Sequence, residues 1–416
     1  MKYIQTGLIC CLVLLSACAS TDGTRYAAVK TVQTNPACHI SSAWCVGNYA
    51  YHPIRPTHYV KDEVLLVYDR RVDGRAAEHL LKTYKLRPKN RALLASAGLN
   101  LITANTGGQD PLELKKAINY AQKSIKAQTN NYYYTGSIPT PLVTSTGYPF
   151  SLTGVEAAYP FTKGKGVKIG MVDTSVDIFH ESLRGKDITW PDSMKNDPRA
   201  SQHGTEIAGT IISNNPKVGI APEASLYVAP AFGKSDNKGT AADIAKAIED
   251  CIREKVDILN LSFAGERDEL VDTMVEQALR NKIIVVASAG NNGPEAKPVY
   301  PAALPGVIAV TAIDNKEQIF SRANRGSYID LAAPGVGIFT TAPQSSYKLA
   351  TGTSIATAHV SGLIALLLSM KREGLLKKDF TPDILTKSAI DLGQNGRDND
   401  YGYGLVNLNN ALQKLK

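Results

Sequence analysis

Five short runs in the C-terminal two-thirds of the chain are apolar almost throughout: Val167 to Asp173, Ser225 to Ala229, Val256 to Ser262, Ile283 to Ala289 and Val307 to Ala312. Two stretches with helical periodicity, Ala241 to Lys255 and Asp268 to Lys282, fall between them. Continuous rather than alternating apolar runs predict strands buried on both faces, and strands separated by helices predict a parallel sheet covered on both sides. The fold class expected is therefore α/β. In such sheets function gathers at the carboxyl ends of the strands. Asp173, Ser262 and Ala289-Gly290-Asn291 sit at these ends, which predicts one shared cleft.

A second feature is a polar residue in an unusual place. Gly352-Thr353-Ser354 opens a stretch that stays apolar on nearly every face as far as Leu368. Ser354 is either an N-cap or a nucleophile at the positive end of a helix dipole. The choice depends on a base and a carboxylate elsewhere. Asp173 ends an apolar strand, and His203-Gly204-Thr205-Glu206-Ile207-Ala208-Gly209-Thr210 reads as a glycine-rich entry into a helix.

The order Asp, His, Ser with these flanks resembles the subtilisin family of serine proteases, over roughly residues 150 to 416. The resemblance implies a doubly wound parallel sheet with helices on both faces, and a serine endopeptidase acting on proteins or peptides through an acyl-enzyme. Ser354 would attack, His203 would carry the proton, and Asp173 would orient and stabilise the imidazole. Asn291 would share the oxyanion with the backbone N–H of Ser354. Two segments, Asn237-Lys238-Gly239 and Ser262-Phe263-Ala264-Gly265, would hold the substrate as added strands. Phe263, Ala264, Gly265, Ala289, Gly290 and Val299 would form the cup before the scissile bond, shallow and suited to small or medium apolar side chains.

Several positions depart from the family pattern. Ser175 follows Asp173-Thr174 and could crowd the strand exit, Glu206 stands where many relatives have histidine, and Ala358 replaces a proline. Ser182 and the short segment 213–219 lack the carboxylates of the family's calcium loop, so no metal and no obligatory cofactor is expected. Residues 398–407 resemble the family's closing segment, which implies a complete catalytic domain.

The N-terminal part reads differently. Met1-Lys2, the apolar run Leu8 to Leu15 and then Ser16-Ala17-Cys18 form a signal sequence too short to span a bilayer. Small residues before a cysteine resemble a bacterial lipobox, implying cleavage after residue 17 and lipid on Cys18. The alternative is an ordinary secretory signal, and either way export is expected. The lipid would anchor the protein to the cell envelope, at the outer membrane or cell surface where the host has two membranes. Residues 18–60 read as a tether in which Cys38 and Cys45 are close enough for a local disulfide. Cys251 shares a helical face with Ile244, Ala247 and Ile248, as a buried thiol would.

Residues 61–129 carry a strand (Glu63 to Tyr68), a helix (Arg75 to Lys85), one or two strands (Ala92 to Thr103) and a helix (Pro111 to Lys126). This order fits a small ferredoxin-like α+β sandwich and resembles the family's propeptide domain, an intramolecular inhibitor. An independent binding module is the alternative. Residues 130–149 read as a linker where self-cleavage would fall. The net charge of +8 comes from scattered basic residues, without an aromatic-interleaved stripe, so nucleic acid is not an expected partner. Two other functions remain open: a catalytically silent peptide-binding surface lipoprotein, and a dedicated maturation protease of few substrates.

Overall fold

The computed structural model describes residues 58–136, 138–139, 147–191, 201–233, 237–378 and 380–415. Cys18, Cys38 and Cys45, with the signal peptide and nearly all of the tether, lie outside them.

The first region folds as β1 (Tyr59–Asp69), α1 (Gly74–Thr83), β2 (Arg87–Leu94), β3 (Leu99–Asn105), α2 (Pro111–Ala121) and β4 (Ile125–Thr135). Each helix starts on an aspartate, Asp73 accepting from Arg75 N and Asp110 from Leu112 N and Glu113 N, which satisfies donors that the first turn leaves free. The strands form an antiparallel sheet in the order β4-β1-β3-β2. Val64, Leu66, Ile102, Ile125 and Ala127 pack under Ala77, Leu80, Leu81, Leu114 and Ile118 of the two helices. Leu65, Val67, Leu94 and Leu101 leave from the opposite face of the same strands. That face belongs to a second core, shared with the rest of the chain.

Two expectations are corrected here. The second helix, expected to reach Lys126, ends at Ala121, and residues 125 to 135, of which 130 to 135 were expected in the linker, are one eleven-residue strand. The reason is tertiary. β4 is paired by β1 over residues 125–129 and by distant strands beyond, which overrides the turn-like composition of Asn130-Asn131.

The chain continues through β5 (Ile138–Pro139), α3 (Tyr148–Thr153), β6 (Lys168–Asp173), β7 (Ile188–Thr189), α4 (Gln202–Ile212), β8 (Ser225–Pro230), β9 (Lys238–Thr240), α5 (Ala241–Arg253), β10 (Ile258–Leu261), β11 (Phe263–Gly265) and α6 (Glu269–Arg280). It ends with β12 (Ile284–Ser288), β13 (Ile308–Ile313), β14 (Leu331–Pro334), β15 (Ile338–Ala342), β16 (Ser346–Thr351), α7 (Thr353–Arg372), α8 (Asp383–Lys387) and α9 (Leu408–Leu415). All five expected strands are present in a seven-stranded parallel sheet, ordered β14-β13-β12-β10-β6-β8-β7.

Alternation along the strands sorts the core. Ile169, Met171, Val286 and Val310 face α4 and the buried helix α7, while Val172, Leu259, Val285 and Ala287 face α5 and α6. The sheet is therefore covered on both faces, as the apolar runs required. The sheet of the first region lies against α5: β2 and β4 touch that helix, and Ser96, at the β2–β3 turn, donates from its backbone N and its hydroxyl to the buried carboxylate of Glu249.

Candidate active site

Asp173, the last residue of β6, and His203, the second residue of α4, are brought together across 30 positions of sequence. The His203 Nδ1 to Asp173 Oδ1 distance is 2.7 Å, and both side chains are buried. Thr174 fixes the carboxylate: its backbone N donates to Asp173 Oδ1 at 2.7 Å and its hydroxyl donates at 3.3 Å. The same threonine oxygen accepts from Gly204 N at 2.8 Å, which ties the start of α4 to the strand end. A Cβ at position 204 would stand 2.5 Å from the Thr174 carbonyl and 2.6 Å from that of Ser175, so only glycine permits this approach. Ser175 is half-buried, and the strand exit keeps this geometry around it.

Ser354 lies one residue inside the N-terminus of α7 and is 2% exposed. Its backbone carbonyl accepts from Ser262 Oγ at 3.0 Å, and Ser262 Oγ accepts in turn from Asn260 Nδ2, whose Oδ1 takes the Ser361 hydroxyl. This chain locks the start of α7 to the end of β10. Ser262, expected among the substrate contacts, thus turns its side chain inward as a buttress. Asn291 follows β12. Its Oδ1 accepts from Thr353 N and Thr353 Oγ1, both at 3.0 Å, which aims the amide N–H groups into the cleft.

A segment of the chain's own first region occupies that cleft. Tyr132, Tyr133 and Tyr134 of β4 pair antiparallel with Thr240, Gly239 and Lys238, and Thr135 N donates to Asn237 O at 3.0 Å. On the other side Tyr133, Tyr134 and Thr135 pair with Gly265, Ala264 and Phe263. Both expected substrate segments are therefore edge strands with β4 between them. Beyond Thr135, the Gly136 carbonyl accepts from Asn291 Nδ2 and from Ser354 Oγ, each at 3.4 Å. Ile138 and Pro139 then pair with Thr351 and Ala350 of β16.

The Tyr133 ring is fully buried, edge-on to Phe263 with centroids 5.6 Å apart, and the Phe232 ring lies tilted against Phe263 at 5.1 Å. A Cβ at Gly265 would stand 2.4 Å from that ring, so the glycine makes the seat. Ala289 and Val299, two residues of the expected cup, are buried, and Val299 packs against Gly290. A Cβ built on Gly136 would meet nothing within 4 Å, which leaves room for a side chain there. Thr353, Thr174, Phe232, β16 and the seated β4 were not singled out from the sequence. Only the threonines, as fixed neighbours of Asp173 and Ser354, carried a signal that could have found them.

Glu206, one turn along α4 from His203, is fully buried and forms an ion pair with Lys348 of β16 at 2.9 Å. Burial of the imidazole disfavours its charge, but the attraction and hydrogen bond of Asp173, with Glu206 adding and Lys348 opposing, hold His203 above the ordinary 6.5. His203 Nε2 and Asp173 Oδ2 are buried without hydrogen-bond partners. A base must be neutral to accept a proton, so turnover should rise with pH through a value above 6.5. Because the cleft is filled in this structure, kcat rather than kcat/KM should show the raised limb. Glu206→Gln should move that limb to lower pH; a kcat profile that does not move, or moves upward, would contradict this electrostatic picture.

Cys251 is a free, buried thiol whose pKa burial pushes far up, as its helical position suggested. Among the described residues, no group of three or more His, Cys, Asp or Glu stands close enough to hold a metal ion. Among the described residues one helix, Thr353–Arg372, is long and apolar enough by composition to cross a membrane, and it is buried in the core.

Residues 164–404 match the model of the subtilase family. The chain is 37% identical over 232 residues to the major intracellular serine protease of Bacillus subtilis (strain 168), covering 52% of this chain and 72% of that protein. It is 30% identical over 370 residues to the thermophilic serine proteinase of Bacillus sp. (strain AK1), covering 85% of this chain and 88% of the relative. In fold it is similar to fervidolysin from Fervidobacterium pennivorans, with a TM-score of 0.73 at 23% identity, over 86% of this chain and 62% of that one. The chain belongs to the subtilase family, and it is a serine endopeptidase.

Proposed function

We propose that the chain is an exported precursor that cleaves itself between Gly136 and Ser137, using Ser354 as nucleophile, His203 as base and Asp173 to hold the imidazole. One observation carries this reading. The Gly136 carbonyl meets the Ser354 hydroxyl and the Asn291 amide at 3.4 Å each, at the end of a strand hydrogen-bonded on both sides. Such a placement keeps the scissile carbonyl within hydrogen-bond reach of the nucleophile and of the oxyanion donor, so that attack becomes an intramolecular step. Ser354 Oγ would add to the carbonyl carbon as its proton passes to His203 Nε2, the atom left without a partner. The negative oxygen would rest on Asn291 Nδ2. The amine of residue 137 would then leave with the proton from His203, and water would release the acyl group by the reverse sequence.

Residues 58–136 act in this scheme as pro-region and inhibitor, because the strand that is cut also fills the cleft. Lipid on Cys18 would keep the pro-region at the cell envelope, and the catalytic part would stay there as long as β4 remains paired. After release the cleft accepts other extended peptides. The aromatic seat at Tyr133 implies a preference for an aromatic residue four positions before the scissile bond, and the open space at Gly136 admits a side chain just before it. A seat this closely fitted favours a maturation role on few substrates over broad degradation.

A synthetic peptide with the sequence of residues 131–139 should be cut between its glycine and serine by the processed enzyme once its severed pro-region has been removed. Replacing the tyrosine equivalent to Tyr133 by alanine should lower kcat/KM by about 10- to 100-fold, since burying such a ring is worth roughly 1.5–3 kcal/mol. Cleavage at another bond, or indifference to the alanine, would sink the assignment.

A further inference from the structure

Beyond the aromatic seat, the strand makes a side-chain contact six residues before the Gly136–Ser137 bond. Asn131 Nδ2 donates to Asp268 Oδ2 at 2.8 Å. The two oxygens of Asp268 do different work. Oδ1 caps α6, accepting from Leu270 N at 3.0 Å and Val271 N at 3.3 Å, and leaves Oδ2 to whatever chain occupies the cleft. With β4 in place Asp268 is 4% exposed, and this burial raises its carboxyl to about 6, against the cap hydrogen bonds and the Asn131 amide, which lower it. A carboxylate desolvated by an incoming chain needs a donor from that chain, or its burial is uncompensated.

The space around it is larger than asparagine needs. A cavity of about 380 Å³ lies between β4 and the start of α6, lined among others by Lys126, Thr129, Asn131, Arg267, Asp268 and Asp272. Two of its three cations are paired with other carboxylates: Arg267 Nε donates to Asp272 Oδ2 at 2.8 Å, and Lys126 of β4 pairs with Glu269; the third, Lys115, belongs to α2 of the pro-region and leaves with it. A longer donor at position 131 would extend into this cavity without displacing a backbone pairing.

We propose that Asp268 determines specificity for the sixth residue before the scissile bond, selecting a side chain that carries an N–H donor, arginine or lysine above asparagine, and rejecting aspartate and glutamate. This rests on reading residues 131–136 as the substrate side of the cut. Charge-assisted donors outrank the neutral amide because hydrogen bonds between ionised partners are the stronger ones. A carboxylate at the same place would set a like charge against the buried Asp268.

The experiment uses the processed enzyme freed of its severed pro-region by denaturant wash and refolding or by proteolysis of the pro-region, and N-acetylated peptides Xaa-Tyr-Tyr-Tyr-Thr-Gly-Ser-Ile-Pro, with Xaa as Arg, Asn, Leu or Glu. The expected order of kcat/KM is Arg, Asn, Leu, Glu, with at least about tenfold between the ends. Asp268→Asn keeps an equally good helix cap, so it should still cut the Asn peptide while the Arg-to-Glu ratio shrinks to about twofold. Equal cleavage of all four peptides by the wild type, or an unchanged ratio in the variant, overturns the proposal. Failure to cut any of them between Gly and Ser would overturn the scissile-bond reading itself, and this inference with it.

Discussion

Ser354→Ala is expected to leave the chain whole across Gly136–Ser137, whereas the wild type should yield a chain whose first residue is Ser137. Intact mass and N-terminal sequencing of the two purified proteins decide this directly. Loss of the nucleophile costs about 10⁶ in kcat in a subtilisin, and a relative with the same residues should lose as much. The fold should survive, because alanine keeps the Cβ and removes one hydroxyl, whose hydrogen bond goes to Gly136; the tie to Ser262 is through the backbone carbonyl. Correct processing of the mutant in isolation would remove Ser354 from the mechanism. Processed wild type should also keep its severed pro-region, since the pairing of β4 and the Ser96–Glu249 contact do not depend on the covalent link.

Asn291→Leu should lower turnover of any peptide by about 10² to 10³, a magnitude taken from the corresponding donor in a subtilisin. The substitution keeps the size of the side chain and removes the N–H aimed at the Gly136 carbonyl. It also strips Thr353 N and Thr353 Oγ1 of their acceptor. A test of mechanism must therefore separate kcat from KM. A fall in kcat with KM nearly unchanged marks stabilisation that exists only once the oxygen is charged. A fall confined to KM would mean that Asn291 merely seats the peptide.

What could be read from the sequence follows physical range. The five core strands and the helices α5 and α6 were legible because apolar periodicity is local, and so were Asp173, His203, Ser354 and Asn291, each fixed by its immediate flanks. β4 was not. Tyr132, Tyr133 and Tyr134 owe their strand conformation to partners more than 100 positions away, and a run with asparagines before it and glycine after it has the local signature of a turn. The same distance hid the Glu206–Lys348 pair, where a departure from the family pattern was visible at Glu206 but its cation, 142 residues on, was not. Ser262 shows the same limit: it stands between β10 and β11, and the partner of its hydroxyl, the Ser354 carbonyl 92 residues on, left no local mark.

The cleft between β9 and β11 is a sheet with its middle strand left out, and that gap dictates the physical state of whatever is cut. A guest must present about nine residues pulled straight, close to 30 Å of backbone with its amides free on both edges. Helices have no free amides to offer, and a tight surface loop cannot reach that far. Susceptibility of a folded protein to this enzyme is thus governed by how often a segment of that length detaches from its own structure, the opening equilibrium that also limits amide hydrogen exchange. The enzyme would read the local stability of its targets before it reads their sequence.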